Sequence, residues 1–217
     1  DPYGDCEPAV KDSKFFAETW LRIGEYHFDF DFGEHGLSRS ISAYRKVLEQ
    51  PDDRNYNLAL YKVAWAYYRA SRYPEAMEHF WKLVDWSDEE RKKTGKGSEL
   101  REEAIQYLGI GFAYDDWNEN QVPDPTEGQA NGIARVQDPK LLPQDKAWTR
   151  DVYERLGYIY FDEAKYPEAV QIWQLALSRW PLAVNAPAMQ NMIARAYTRH
   201  NEGELAIESR AKLGNFA

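Results

Sequence analysis

Oxygen-bearing side chains recur at alternate positions in one short stretch of the chain, between Asp116 and Glu127. Counted from Asp116, they fall at positions 1, 3, 5 and 9, and a glutamate falls at position 12. A tight loop turns alternate residues toward one centre, where a hard cation takes about six to eight oxygen ligands. The spacing therefore predicts a calcium loop whose ligands are Asp116, Asn118, Asn120, the carbonyl of Val122, Asp124 and Glu127.

Two features of this stretch weaken the calcium prediction. Gln121 stands where the sharp turn of a calcium loop normally requires glycine. Asp, Asn and Pro also favour ordinary turns, so a solvated acidic loop is the alternative. The stretch nevertheless resembles the Asp-rich calcium loops of extracellular repeats, in which a Val-Pro-Asp such as residues 122–124 closes the motif. We expect no required cofactor, and at most a structural calcium that pins a long loop.

Other chemistry-bearing residues show no convergent pattern. The four histidines are scattered, and the single cysteine, Cys6, cannot form an internal disulfide and has no nearby histidine. There is no Gly-rich phosphate loop, serine elbow or zinc motif. The net charge of -9 and pI near 5.1 argue against nucleic acid and anionic membranes as partners, and no apolar run could insert into a membrane. We therefore predict a protein without enzymatic activity.

A repeat runs through the chain and must position these residues. A small residue is followed three positions later by an aromatic ring or histidine, with steps of 40, 47, 46 and 37 residues between copies. Such spacing predicts helix-turn-helix units of about 34 residues with insertions. The small residues, which let two helices approach closely, are Gly24, Ala64, Gly111, Gly157 and Ala194.

Two units have nearly the same sequence at the start of their second helix. Arg72 to Ala76 and Lys165 to Ala169 both read basic-Tyr-Pro-Glu-Ala. Proline suits the first turn of a helix, and glutamate is stabilised near the positive helix end. The acidic and basic run 89–93 is expected to form an exposed connector after the second unit.

These features resemble the tetratricopeptide repeat family from about Phe15 onward, with close matches in the second and fourth units. The first unit carries a four-residue insertion, and the third has a poor second helix. The resemblance implies an all-α, right-handed superhelix of about five helix-turn-helix units that holds peptides or other proteins. We expect a linker or upstream remnant over residues 1–14 and a solenoid over 15–217. Its units span about 15–52, 55–90, 101–140 with an insertion at 115–146, 147–183 and 185–217.

The resemblance also implies which residues line a concave groove, namely those one, four or five positions after each small residue. Aromatic and arginine side chains dominate this set, and both types are frequent binding hot spots. The alternative is that the aromatic rings pack against insertions or the next helix. The predicted partner-binding residues are Glu25, Phe28, Trp65, Tyr68, Arg69, Phe112, Tyr158, Phe161, Arg195 and Arg199.

Two functions follow as expectations. The first is a scaffold that captures a segment of another protein in the aromatic groove. The second is a structural repeat module of a larger envelope-associated protein, with a calcium-stabilised loop in the third unit. Solenoid ends need polar caps, and none is evident after the fifth unit, so self-association through an uncapped end is a further expectation. The composition and the calcium-like loop resemble bacterial extracytoplasmic repeat proteins, which favours the periplasm or outer membrane.

Overall fold

The computed structural model describes residues 13–33 and 35–216. Cys6 and most of the expected N-terminal linker lie outside them. All the regular secondary structure of the described residues is helical. The α-helices are α1 (Phe16–Asp29), α2 (Gly36–Val47), α3 (Tyr56–Arg69), α4 (Tyr73–Thr94), α5 (Arg101–Ala113), α6 (Gly132–Gln137), α7 (Thr149–Asp162), α8 (Tyr166–Arg179), α9 (Ala186–Arg199) and α10 (Gly203–Ala211). Two 3₁₀ helices span Asp124–Glu127 and Lys212–Phe216.

The chain divides into two compact units, residues 1–104 and 105–217, and the division falls within α5. In the N-terminal unit α1 packs on α2, α2 on α3, and α3 on α4. In the C-terminal unit α7 packs on α8, α8 on α9, and α9 on α10. Each unit is thus a row of helices that pack on their sequence neighbours. Within a repeat we call the first helix A and the second helix B.

The small residues of helix A make room for a large ring of helix B. Gly24 lies against the ring of Tyr44, and Gly157 lies against the indole of Trp173. A Cβ atom at either glycine would overlap that ring. Tyr44 and Trp173 are completely buried, so this contact is the centre of each repeat's core. The prediction of close helix contact is confirmed, and the ring explains why glycine is needed.

The turns between helices A and B share a backbone feature that the sequence did not predict. Ser71, Ala164 and Asn201 adopt positive φ angles of 57°, 60° and 62°, and each stands five residues before the small residue of helix B. The next amide in each turn donates to the carbonyl of the repeat's aromatic residue, at 3.0, 2.8 and 2.9 Å. This is the Schellman ending of a helix, which satisfies carbonyls at the helix terminus. The same cap therefore recurs in three repeats.

The third repeat lacks an ordinary helix B. After α5 the chain forms a loop, a 3₁₀ turn and the short helix α6, and these pack back on α5. The Trp117 indole donates to the Gly111 carbonyl at 2.9 Å, and Gly132 lies against the backbone at Phe112. The buried carboxylate of Asp124 forms an ion pair with the buried guanidinium of Arg135. The insertion is thus a packed plug in the place of a helix.

The all-α prediction is confirmed for the residues that the structure describes. One detail was wrong, since residues 89–93 form the last turns of α4 and not a connector. Among the residues that the structure describes, no helix is long and apolar enough to cross a membrane.

Candidate partner-binding surfaces

The helix-A residues of the N-terminal unit form one aromatic surface, which we call the N-terminal face (Glu25, Phe28, Trp65, Tyr68 and Arg69). Trp65 and Tyr68 lie edge to face with ring centroids 5.5 Å apart. Phe28 from α1 and both rings from α3 are half-buried. The rings thus rest on the core and leave one edge open to solvent, as partner-binding residues require.

The charged groups of the N-terminal face are already paired within the unit. Glu25 accepts from Arg22 at 3.0 Å and lies 3.5 Å from the ammonium of Lys62. Arg69 donates to the Phe28 carbonyl at 3.0 Å, and its guanidinium stands 4.4 Å above the Phe28 ring. A partner would therefore meet rings, a glutamate paired with two cations and an arginine anchored on the Phe28 ring.

The corresponding surface of the C-terminal unit, the C-terminal face, comprises Arg155, Tyr158, Phe161, Arg195 and Arg199. Tyr158 and Phe161 of α7 rest on Trp173, with ring centroids 5.3 and 6.1 Å apart, and both are half-buried. The Arg195 guanidinium from α9 stands 5.8 Å from the Phe161 ring. Arg199 lies one turn further along α9 and is exposed. Four predicted residues thus belong to one surface.

The arginines of the C-terminal face are anchored less firmly than Arg69 of the N-terminal face. Within the part of the chain that the structure describes, no carboxylate forms an ion pair with Arg155, Arg195 or Arg199. Arg195 donates to the Met192 sulfur at 3.3 Å, which is a weak contact. Burial and the Glu154 charge raise the pKa of Tyr158, while Arg155 and Arg195 act in the opposite direction. Both cations are therefore close enough to influence the Tyr158 phenol.

Arg155 was not among the predicted residues. It precedes Gly157 by two positions, whereas the prediction used only later positions of helix A. Its side chain passes Gly109 of α5, and it stands three residues before Tyr158 on the same helix. Residues three apart share one face of a helix, and this spacing is the signal that could have revealed it.

The prediction for Phe112 requires correction. Its ring is completely buried and stacks on Trp117 at 6.2 Å, so it offers no surface to a partner. The repeat register predicts an open side chain there because it assumes an ordinary helix B. In the third repeat the insertion folds over this side of α5 instead. The aromatic residue two positions later, Tyr114, is 38% exposed and not a core residue.

The predicted calcium loop uses its oxygens within the protein. Asp116 accepts from the amides of Asn120 and Gln121 at 3.1 and 3.0 Å. The amide groups of Asn118 and Asn120 both donate to Glu127, at 3.1 and 2.8 Å. Gln121, which stands where a calcium loop normally has glycine, adopts a positive φ of 68°.

Asp124 differs from the other predicted calcium ligands because it is buried. One of its oxygens accepts from the Trp117 amide at 2.9 Å and pairs with Arg135. A cation at this carboxylate would have to displace or tolerate the guanidinium. Among the described residues, no three His, Cys, Asp or Glu side chains are grouped to hold a metal ion. Calcium binding thus stays a prediction, and it would require a rearranged loop.

Three of the described histidines, His27, His79 and His200, are held separately by local partners. His27 contacts Asp31 at 2.8 Å, and His200 contacts Glu202 at 2.6 Å. His79 contacts the Glu75 carbonyl at 2.8 Å, and burial lowers its pKa. A neutral His79 ring therefore donates from Nδ1 to that carbonyl. None of these contacts joins a nucleophile to a base.

No protein-family model and no curated protein matches the chain. The crystal structure of the MamA protein is similar over 92% of this chain and 90% of its own, with 18% identity and a TM-score of 0.37. A Podosopora anserina structure, described as putative kinesin light chain nearly identical TPR-like repeats, is similar over 91% of this chain and 93% of its own. Its identity is 14% and its TM-score 0.36.

Proposed function

We propose that this protein is a non-enzymatic scaffold that holds a segment of another protein on the helix-A faces of its repeats. The observation that carries the proposal is the set of half-buried rings on these faces, Phe28, Trp65, Tyr68, Tyr158 and Phe161. Each ring is fixed by core contacts yet keeps an open edge. Aromatic groups that are already ordered lose little conformational entropy on binding, which favours affinity.

The remaining surface supports this assignment. The polar groups of the plug in the third repeat, such as Asp124 and Arg135, bond to one another and to the backbone within the plug. Glu103 and Tyr61 illustrate the same use on the N-terminal unit, where the phenol donates to the carboxylate at 2.7 Å. Paired groups of this kind fix helices, whereas the open rings are left to contact a partner.

A pull-down from source extract tests the proposal. The bait is the full chain, compared with a Trp65→Ala/Tyr158→Ala/Phe161→Ala variant whose helicity is checked by circular dichroism. Phe112 is omitted because it is buried. A Gln171→Ala variant, which changes an exposed residue of α8, serves as control. We expect a protein that the wild type and the control retain and the triple variant loses. Equal retention by all three would refute binding on these faces.

A second candidate function, stacking of another copy on the last helix, is favoured by a separate observation. Leu205 and Ile207 on α10 are 42% and 68% exposed. Residues two positions apart point to different sides of a helix, so Ile207, the more exposed of the two, marks the apolar contact that a second copy would cover. Light scattering of the wild type and an Ile207→Ser variant tests this function. A wild-type dimer that becomes a monomer in the variant would support stacking, and a monomeric wild type would exclude it.

A further inference from the structure

We propose that the C-terminal face recognises a carboxylate-rich segment of a partner protein, with Arg155, Arg195 and Arg199 as the groups that bind the carboxylates. This inference rests on the proposed scaffold function and names the chemistry of its partner. It concerns the C-terminal unit alone.

These three guanidiniums have no acidic partner among the described residues, although the chain is rich in acids. The sequence holds 36 Asp and Glu against 27 Lys and Arg. Seven other arginines form ion pairs with carboxylates, namely Arg22, Arg39, Arg54, Arg72, Arg101, Arg135 and Arg150. Among the described residues Arg69, Arg91, Arg179 and Arg210 also lack an ion pair, but each of these stands on a different helix. In a chain of this composition, three unpaired arginines on one face leave positive charge available for a ligand.

Aromatic rings lie beside these cations on the C-terminal face. Phe161 lies 5.8 Å from the Arg195 guanidinium, and Tyr158 lies on the same face of α7 as Arg155. Rings that exclude water lower the local dielectric, which strengthens a charge-assisted hydrogen bond between guanidinium and carboxylate. The planar fork of arginine also matches the two oxygens of a carboxylate. The face is thus suited to acidic side chains that alternate with apolar ones.

Acidic residues near the C-terminal face disfavour nucleic acid as its ligand. Asp162 stands one turn after Tyr158 on α7 and is exposed, and Glu163 follows it. With a net charge of -9, the whole chain repels a uniform polyanion such as nucleic acid. A protein segment can place its carboxylates at the arginines and neutral residues beside Asp162. A nucleic acid cannot place neutral groups beside Asp162, because every phosphate of its backbone is charged.

Fluorescence anisotropy with the full chain tests this inference. The probe is a fluorescein-labelled peptide of about a dozen Glu, Leu and Ser residues, and its matched forms carry Gln or Lys in place of every Glu. We expect the Glu peptide to bind about tenfold more tightly than the Gln peptide. The difference should shrink when NaCl rises from about 50 mM to about 500 mM, because salt screens exposed charges. The Lys peptide should bind more weakly than either.

Two charge variants assign the effect to the face. Arg195→Gln/Arg199→Gln should weaken binding of the Glu peptide about tenfold and leave the Gln peptide unchanged. Lys92→Gln/Lys93→Gln removes the same charge from the last turn of α4 and should change binding less than about twofold. Both sets of residues are exposed, so folding is retained.

Several results would overturn the inference. They are equal binding of the Glu and Gln peptides, no binding of the Glu peptide, or wild-type binding by the Arg195→Gln/Arg199→Gln variant. Single-stranded oligothymidylate that binds as tightly as the Glu peptide would also overturn it. If the Gln peptide binds as well and a Tyr158→Ala/Phe161→Ala variant loses it, the scaffold function stands and only the carboxylate preference fails. If no peptide binds and the pull-down finds no partner, both proposals fail.

Discussion

The N-terminal and C-terminal faces are built on the same helix-A positions but use their charges differently. On the N-terminal face, Arg69 is held by the Phe28 carbonyl and ring, and Glu25 is held by two cations. On the C-terminal face, Arg195 and Arg199 have no carboxylate partner among the described residues. The rings are similar, and neither Arg69 nor Arg195 forms an ion pair with another described residue. The faces therefore differ in how firmly their arginines are anchored and in the presence of the paired Glu25. A repeat can thus keep its core and change its partner through a few surface residues.

The two units also differ in how they complete a repeat. The first, second, fourth and fifth repeats use an ordinary helix B, whereas the third uses a plug anchored by the buried Asp124–Arg135 pair. Exposed ion pairs contribute little to stability, while a buried charge left without its partner is very unfavourable. The plug therefore depends on one interaction far more than a helix pair does.

The largest expected effect follows from this dependence. Asp124→Ala should destabilise the protein by about 3–5 kcal/mol, because Arg135 stays buried without its counter-charge. Glu18→Ala, which breaks the exposed pair with Arg54, should cost less than about 1 kcal/mol. Chemical denaturation measures both. Equal losses would show that the plug is not held by the buried pair.

The glycine-to-ring contact should be equally important in both units. Gly157→Leu and Gly24→Leu each force a side chain into the ring of Trp173 or Tyr44, so each should cost about 1–3 kcal/mol or more through overpacking. Thermal unfolding followed by circular dichroism provides the measurement. Gly203→Leu, where a Cβ meets nothing within 4 Å, serves as the control. An unchanged melting temperature for Gly157→Leu would refute this description of the repeat core.

The charged faces should respond differently to removal of arginine. Arg69→Gln should cost about 1 kcal/mol, since it removes a hydrogen bond and a cation–π contact. Arg195→Gln/Arg199→Gln should alter stability by less than about 0.5 kcal/mol, because these side chains are exposed and have no ionic partner. Urea denaturation of the variants checks the difference. A greater loss for the second variant would mean that its arginines stabilise the fold.

The smallest expected effect is a pH dependence of opposite sign in the two units. Burial raises the pKa of Glu154, whereas hydrogen bonds from His27 and Gly33 lower the pKa of Asp31. A raised carboxyl pKa means that stability is lost as the pH rises from about 4.3 through the folded-state pKa. A lowered one means that stability present above about pH 3.9 is lost as the pH falls through the folded-state pKa.

Conservative variants separate the two groups. At pH 7, Glu154→Gln should melt slightly above the wild type, because it keeps an acceptor for Asn185 without a half-buried charge. Asp31→Asn should melt slightly below the wild type at pH 7, and each difference should diminish as the pH falls through the folded-state pKa of its carboxyl group. Melting curves across this range provide the test. A Glu154→Gln variant that is less stable at pH 7 would show that its charge is favourable.

The helix pairs could be predicted from sequence because small residues and rings recur at fixed spacing. The repeat register also predicted Tyr158, Phe161, Arg195 and Arg199 as partner-binding residues, and their role stays a prediction. The sequence could not show that Ser71 and Ala164 adopt left-handed conformations, because serine and alanine give no sign of a positive φ.

The third repeat was the least predictable part. Its ring contacts and its Asp124–Arg135 pair join residues separated by a loop, and no periodicity records such pairings. The prediction for Phe112 was wrong for this reason, since Trp117 covers it. The alternate oxygens of residues 116–127 are used for loop hydrogen bonds, a role that has the same sequence pattern as a cation site. Which arginines pair with carboxylates also depends on the folded structure, so the sequence alone could not show which arginines lack an ion pair.

Site-specific photo-crosslinking tests the central claim most directly. A benzophenone side chain replaces Tyr158 on the C-terminal face or Gln171 on the exposed surface of α8, and crosslinks to the Glu-rich peptide are located by mass spectrometry. We expect crosslinks from position 158 that disappear when Arg195 and Arg199 are changed to glutamine. We expect no crosslinks from position 171. Equal crosslinking from both positions, or crosslinking that survives loss of the arginines, would contradict it.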